Sequence, residues 1–382
     1  MTPQEEARGF NPPEQHRLWR DVLLPRSVIP FFWMAWLVLL PVAMWGKIRR
    51  RHTGSPAQPR VAIESGIIGW THVYFEELLA SAQEYFGQDA VIQHTIDRDR
   101  PYLSQMRRNV MRDRPSHVVC DVRTPGQSWP SSIRQAIGAS WFLVARGITP
   151  VVVLTDAFYR RQRWHAAVLT AFGGVVVTFA NDKIVDPIFP HRRIIGPLPM
   201  PISVGRLEWL AAEREARVTP GEPRVQFIGS VYPPRDRFLD HVGERLEAQG
   251  IHLQVNRDKS ATSNEEYWMT LVNSDVVLTT TLQGPPRPYM DWIWIQQAVF
   301  RYAESTSAGA ALVAGPVDGG FDYYVNGVDF LQFHSVDEAV AAVADLVHSP
   351  EQMRQIAASG VATSTRIIRE HEFWKRIDQA LG

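Results

Sequence analysis

A chain of 382 residues is too long for one ordinary hydrophobic core and fits two domains with an appendage. Its 40 lysines and arginines balance its 40 aspartates and glutamates, so no global field attracts nucleic acid or repels an anionic substrate, and any anion site must be local. The single cysteine, Cys120, excludes an intramolecular disulfide and agrees with a reducing compartment; within His117-Val118-Val119-Cys120 it reads as a small buried hydrophobe rather than a nucleophile.

Residues 1–25 are polar and proline-containing, with a short amphipathic pattern through Gln15, Leu18, Trp19, Val22 and Leu23 that suits a membrane face. Val28 to Trp45 carries no charge, holds Trp33, Trp36 and Trp45, and is followed by Lys47-Ile48-Arg49-Arg50-Arg51. It reads as a membrane helix. As a straight helix it would span roughly 27 Å, just short of a ~30 Å hydrocarbon core. Pro30 and Pro41 fit a short tilted span, and equally a kinked, re-entrant or interfacial element; a buried globular helix is the remaining reading. The late start and the missing Ala-x-Ala site disfavour a cleaved signal peptide. The basic run after Trp45 suggests that the following domain is cytoplasmic, although Arg8, Arg17, Arg20 and Arg26 lie on the other flank and blunt the asymmetry. Thr53 to Pro59 is a linker by composition, so residues 1–59 are expected to be anchor and linker.

From Arg60 onward, continuous apolar runs alternate with helical patterns. The runs are Val61 to Ile68, Val91 to Ile96, His117 to Val122, Val151 to Leu154 and Val175 to Phe179. Between them lie Val73 to Phe86, a basic helix around Met106 to Met111, Ile133 to Ala145 and Trp164 to Phe172. Such a rhythm predicts an α/β domain, residues 60–203, with a doubly wound parallel sheet covered on both faces. Ligands in such sheets bind at the carboxyl ends of the strands, so the loops after Ile68, Val122, Leu154 and Phe179 are expected to face a cleft. Pro187 to Pro201 breaks the rhythm and reads as an interdomain passage.

A second domain of the same class, residues 204–382, is expected from a charged helix over Glu208 to Arg217, a strand over Val225 to Ile228, a helix over Arg237 to Gln249 and a strand over Ile251 to Val255. Val276 to Thr280, Ala310 to Ala314 and Phe330 to Phe333 supply its later strands, and Thr365 to Leu381 its final helix.

The richest stretch is Arg301-Tyr302-Ala303-Glu304-Ser305-Thr306-Ser307-Ala308-Gly309-Ala310, where a carboxylate opens a small-residue helix that leads into a buried strand. Small residues let the backbone approach a bound group, and a glutamate there can accept two hydrogen bonds from a vicinal diol. The segment resembles the nucleotide-sugar-binding region of GT-B glycosyltransferases, which have two Rossmann-like domains, and in particular the group related to spore-maturation protein CgeB. The likeness continues in Phe227 to Arg235, Glu266 to Leu278, Gly320 to Gly327 and Ser349 to Ala357, and covers about 150 residues of the C-terminal half.

The resemblance implies a glycosyltransferase that needs neither cofactor nor metal, uses a nucleotide-diphosphate sugar as donor substrate, and acts on a saccharide or lipid-linked acceptor at the cytoplasmic face. It also implies that the final helix packs back across the first domain. Glu304 is implied as ligand to the ribose hydroxyls; the spacing alone is equally that of a glutamate favoured by a helix N-terminus. Many retaining members place a second glutamate eight residues earlier, where this chain has Gln296. Gly229-Ser230 with Arg235 or Arg237 would hold the diphosphate through backbone donors and a guanidinium fork. The other reading of that segment is a solvated turn in which Arg235 pairs Asp236 or Glu266. Gly309 and Gly320 are permissive points close to the donor.

A catalytic base is sought in the first domain, where Asp156, His72 and Asp121 stand at strand ends or just beyond them; each is equally a cap or turn residue. Asp97-Arg98-Asp99 has a metal-binding spacing but lies outside the donor-binding half. His191-Arg192-Arg193 and Arg160-Arg161-Gln162-Arg163 could meet anionic lipid or form solvated faces. The alternative to an enzyme is a non-catalytic GT-B-like membrane subunit that scaffolds a larger complex. An epimerase on the same fold is a third reading, disfavoured by the membrane segment.

Overall fold

The computed structural model describes residues 60–65, 72–97, 100–121, 129–155, 160–171, 173–180, 193–217, 221–231, 235–255, 263–283, 295–318 and 320–381, and the isolated positions 41 and 45. The uncharged run 28–45 therefore lies outside the described residues apart from those two positions. Among the described residues no helix is long and apolar enough to cross a membrane.

The described residues up to 198, together with residues 373–381, form an N-terminal unit, and residues 199–372 form a C-terminal unit. In the N-terminal unit, chain order gives β1 (Val61–Ser65), α1 (His72–Phe86), β2 (Val91–Thr95), α2 (Tyr102–Asp113), β3 (His117–Asp121), α3 (Trp129–Ala145), β4 (Thr149–Leu154), α4 (Arg160–Leu169), β5 (Val175–Thr178) and β6 (Arg193–Ile195). β1 and β5 are buried at every position, as strands covered on both faces must be. The sheet is parallel, in the order β2-β1-β3-β4-β5-β6, with Val61 opposite both Val91 and His117. Strand order reverses between β1 and β3, which makes their carboxyl ends the topological switch point. The Pro187 to Pro201 passage is not all connection: Arg193–Ile195 adds a sixth strand beside β5. Three residues between prolines are too short to show a period.

The C-terminal unit runs through α5 (Val204–Ala216), β7 (Val225–Phe227), α6 (Arg235–Glu247), β8 (Leu253–Val255), α7 (Asn264–Val272), β9 (Val276–Thr279), β10 (Leu282–Gln283), β11 (Ile295–Gln296), α8 (Arg301–Ser307), β12 (Ala311–Ala314), β13 (Leu331–Gln332), α9 (Val336–His348) and α10 (Pro350–Arg369). Its five-stranded parallel sheet has the order β13-β12-β9-β7-β8, so the switch point falls between β7 and β9. Ser203, Ser263 and Ser335 cap the helices that follow them, and Ser263 forms a full capping box with Glu266. Phe227, Phe238, Val242, Leu278, Val313 and Phe333 belong to the core on one face of this sheet, with the rings of Phe238 and Phe333 stacked at 5.3 Å.

The single helix expected over Thr365 to Leu381 is two. α10 ends at Arg369, His371 turns with φ 49°, and α11 (Glu372–Leu381) follows. From α11, Trp374 is 1% exposed, donates Nε1–H to Ser81 Oγ of α1 at 2.9 Å and meets the Phe86 ring edge-on.

Candidate functional site

α8 begins at the carboxyl edge of the second sheet and ends in a Schellman turn. Gly309 N–H donates to Thr306 O at 3.1 Å and Ala310 N–H to Ser305 O at 3.0 Å, which closes the helix and releases the chain into β12. Gly309 has φ 86°, and a Cβ there would lie 2.4 Å from Arg214 Cδ. The glycine expected at a ligand is therefore pressed by the chain's own Arg214, whose Nη1 donates to Ser307 O at 3.2 Å. Its smallness serves the turn and that packing.

Glu304 lies in the first turn of α8 and is 2% exposed. Its Oε2 accepts from the Tyr267 hydroxyl at 2.7 Å and from Arg301 Nη1. Arg301 Nη1 also donates to the Tyr267 oxygen, and the guanidinium sits 5.2 Å from the centre of that ring. Oε1 accepts no hydrogen bond among the described residues, so one carboxylate oxygen is fixed and the other is left for a donor. Burial opposes the charge on Arg301, but Glu304 beside it more than offsets this and raises its pKa. Burial likewise pushes the Tyr267 phenol well above its usual value. Tyr267 and Arg301 are the partners that the sequence pattern left unassigned; the i, i+3 spacing of Arg301 and Glu304 was their one local signal.

Arg301 also ties this helix to the phosphate-loop candidate. Its Nε donates to Ile228 O at 2.7 Å, at the end of β7. Gly229 follows with φ 153°, and a Cβ built there would stand 3.9 Å from Arg301 Nη2. The structure thus brings Glu304, Gly229 and Arg301 to one point on the carboxyl edge. Arg235 opens α6, is 9% exposed, and donates Nη1–H to Ser230 O at 3.2 Å. Arg235 is therefore buried rather than solvated, and Glu266 accepts from the Ser263 backbone N–H at 2.8 Å. Arg237 is exposed, and its backbone N–H donates to Asp236 Oδ1 at 2.8 Å. Gly320 is exposed, with φ 88°.

Gln296 ends β11, and its N–H donates to Asp318 Oδ2 at 2.9 Å while Asp318 N–H returns a bond to Gln296 O at 2.8 Å. A carboxylate from a different part of the chain is therefore bound to the Gln296 backbone. Burial raises the Asp318 pKa, and the bond from Gln296 only partly counters it. The sequence hides Asp318 because it is 22 residues from its partner.

In the N-terminal unit, His72 is the first residue of α1 and Asp121 the last of β3, so both lie at the switch point; their side chains, and Asp156 entirely, lie outside the described residues. A carboxylate not singled out by sequence lies beside them: Glu64 on β1 is 1% exposed and takes bonds from the Tyr102 hydroxyl at 3.1 and 2.9 Å. Cys120 is fully buried. In the Arg160-Arg161-Gln162-Arg163 cluster, Arg163 is 2% exposed, so that residue is no part of a solvated face.

Two parallel sheets of like topology, with an Arg-Glu-Tyr cluster and a glycine turn on the second, are consistent with a GT-B fold. Residues 207–382 match the model of the family described as glycosyl transferase-like. The fold is shared with the crystal structure of Anabaena HepE in complex with UDP and glucose, at TM-score 0.54 and 10% identity over 85% of this chain and 99% of that one. It is also shared with sucrose-phosphate synthase from Thermosynechococcus elongatus, at TM-score 0.51 and 11% identity over 85% of this chain and 100% of that one. No curated protein matches the chain by sequence. The family likeness thus lies in residues 207–382, and the chain shares the fold of these glycosyltransferase structures.

Proposed function

We propose that the protein transfers a sugar from a nucleoside-diphosphate sugar to a saccharide or lipid-linked acceptor. The observation that carries this reading is the clamped carboxylate of Glu304, with Oε2 held by Arg301 and Tyr267 and Oε1 left to meet a ribose hydroxyl. The Gly229-Ser230 turn, braced by Arg235, supplies backbone donors for the diphosphate. Stabilising that leaving group is the main lever on the barrier, because its charge grows toward the transition state. The HepE structures contain UDP and, in one case, UDP-glucose, which supports a nucleotide sugar as donor. His72, Asp121 and Asp156 remain the proposed sources of a base.

The chain works without a resident cofactor or metal in this reading, and residues 28–45 hold it at the cytoplasmic face of the inner membrane. A membrane-protein complex is compatible with that placement; nucleic acid is not among its partners. One observation favours the scaffold alternative: Gln296 stands where retaining relatives carry a glutamate. A donor screen on purified full-length protein, reading nucleotide release with and without membrane extract, separates the two. Donor-dependent release supports the enzyme, and no release from any donor with membranes present supports the scaffold.

A further inference from the structure

α2 and α3 lie side by side on the N-terminal unit. The steps from β2 to β3 and from β3 to β4 run the same way across the sheet, so right-handed crossovers place both helices on one face. Leu103 N–H donates to Gln135 Oε1 at 3.3 Å, and a Cβ on Gly138 would stand 2.6 Å from Leu103 Cδ2. Their outward surfaces are continuous, and the Arg107 guanidinium of α2 reaches the Phe142 ring of α3 at 5.5 Å.

That outer surface joins two properties. It exposes large apolar side chains, Met111 at 46%, Ile137 at 47% and Trp141 at 41%. The same two helices expose a set of cations: Arg107, Arg108 and Arg112 on α2, Arg134 on α3, and Arg146 just beyond it. Asp113 is the one acid in these two helices, and it is bound to Arg112 and His94. The chain as a whole has no net charge, so this local excess is a built feature.

We propose that this face of α2 and α3 rests on an anionic lipid bilayer, with Trp141, Ile137 and Met111 entering the headgroup region and the arginines meeting lipid phosphates. A protein partner would need acids to answer so many cations, whereas an anionic leaflet presents them everywhere. A tryptophan beside aliphatic side chains, ringed by arginine, is the composition of an interfacial element. The uncharged run 28–45 in the same chain, read as a membrane segment, also favours lipid over protein. The inference does not depend on the donor reading. It adds a second contact, set by lipid charge, to whatever residues 28–45 contribute.

Because Cys120 is fully buried, Ile137→Cys in the full-length chain gives a single reactive site for a fluorescent label. The labelled protein is placed with bilayers of bromine-labelled phosphatidylcholine, alone or mixed with phosphatidylglycerol. Strong quenching in the mixed bilayers, little in the neutral ones, and a loss of about ten-fold or more in lipid affinity with Arg108→Glu/Arg134→Glu is the expected result. Both arginines are exposed, so an unchanged melting temperature confirms that the variant is folded. No quenching in anionic bilayers, equal quenching in both, or shielding of the label through self-association without lipid would overturn the proposal. Binding to neutral bilayers without quenching at position 137 reports on residues 28–45 and contradicts only the α2–α3 contact.

Discussion

Arg301 and Glu304 stand one helical turn apart on α8 and form an ion pair whose side chains are 16% and 3% exposed. Removing one member leaves a buried charge unanswered, which typically costs about 3–5 kcal/mol. Arg301→Ala should therefore be strongly destabilising, and Arg301→Ala/Glu304→Ala less so than the sum of the single changes. Chemical denaturation of the four proteins checks this; additive losses would show that the two residues act apart.

Gly309→Ala separates packing from ligand binding. The residue has φ 86°, and its new Cβ would meet Arg214 at 2.4 Å. A cost of about 1–3 kcal/mol in stability is expected, with donor affinity unchanged in the folded fraction. A variant of wild-type stability that no longer binds donor would restore the close-approach role expected from sequence.

Acid sensitivity should begin at His94. Burial lowers its pKa, and the bond to Asp113 Oδ2 at 3.0 Å only partly restores it. A histidine whose folded pKa is below its unfolded value of about 6.5 is protonated more readily after unfolding. Its neutral state therefore supports folding above that pH, and stability falls as pH drops through it. Asp113, whose pKa is lowered chiefly by Arg112, adds a second loss in the same direction at more acid pH, below about 4. In urea titrations between pH 8 and 5, His94→Gln should flatten the decline; an unchanged slope would remove His94 as its source.

Much of the fold was legible because the strands are continuous apolar runs, a pattern that buried parallel sheets require. Val61–Ser65, His117–Asp121 and Ala311–Ala314 emerge within a few residues of their expected limits. What stayed hidden was short or distant. β6 is three residues within a proline-rich passage, and the break at His371 interrupts a continuous helical pattern with one left-handed residue. In the site, Glu304 and Gly229 were readable from local motifs. Tyr267 was not assigned, because its bond to Glu304 spans 37 positions, and nothing in the order of residues marks which aromatic will point at which acid. Gly309 was readable as a constrained glycine, but its neighbour Arg214 comes from α5.

Deletion of residues 1–51 tests the anchor. Val28 to Trp45 has no charge and three tryptophans, so its removal should shift the folded chain from the membrane fraction, at least in buffers of high ionic strength that weaken the arginine surface of α2 and α3. Full-length protein that fractionates as soluble without detergent would contradict the anchor.

The central claim is that Glu304 grips the donor. Calorimetric titration of full-length protein with a panel of nucleoside-diphosphate sugars, compared for the wild type and Glu304→Gln, tests it most directly, because glutamine keeps the size of the side chain while removing its charge. Loss of a charge-assisted bond predicts about 1.5–3 kcal/mol, or roughly ten- to a hundred-fold weaker binding of the donor that the wild type prefers. Equal affinity of the two proteins, with both folded at the titration temperature, would contradict the claim.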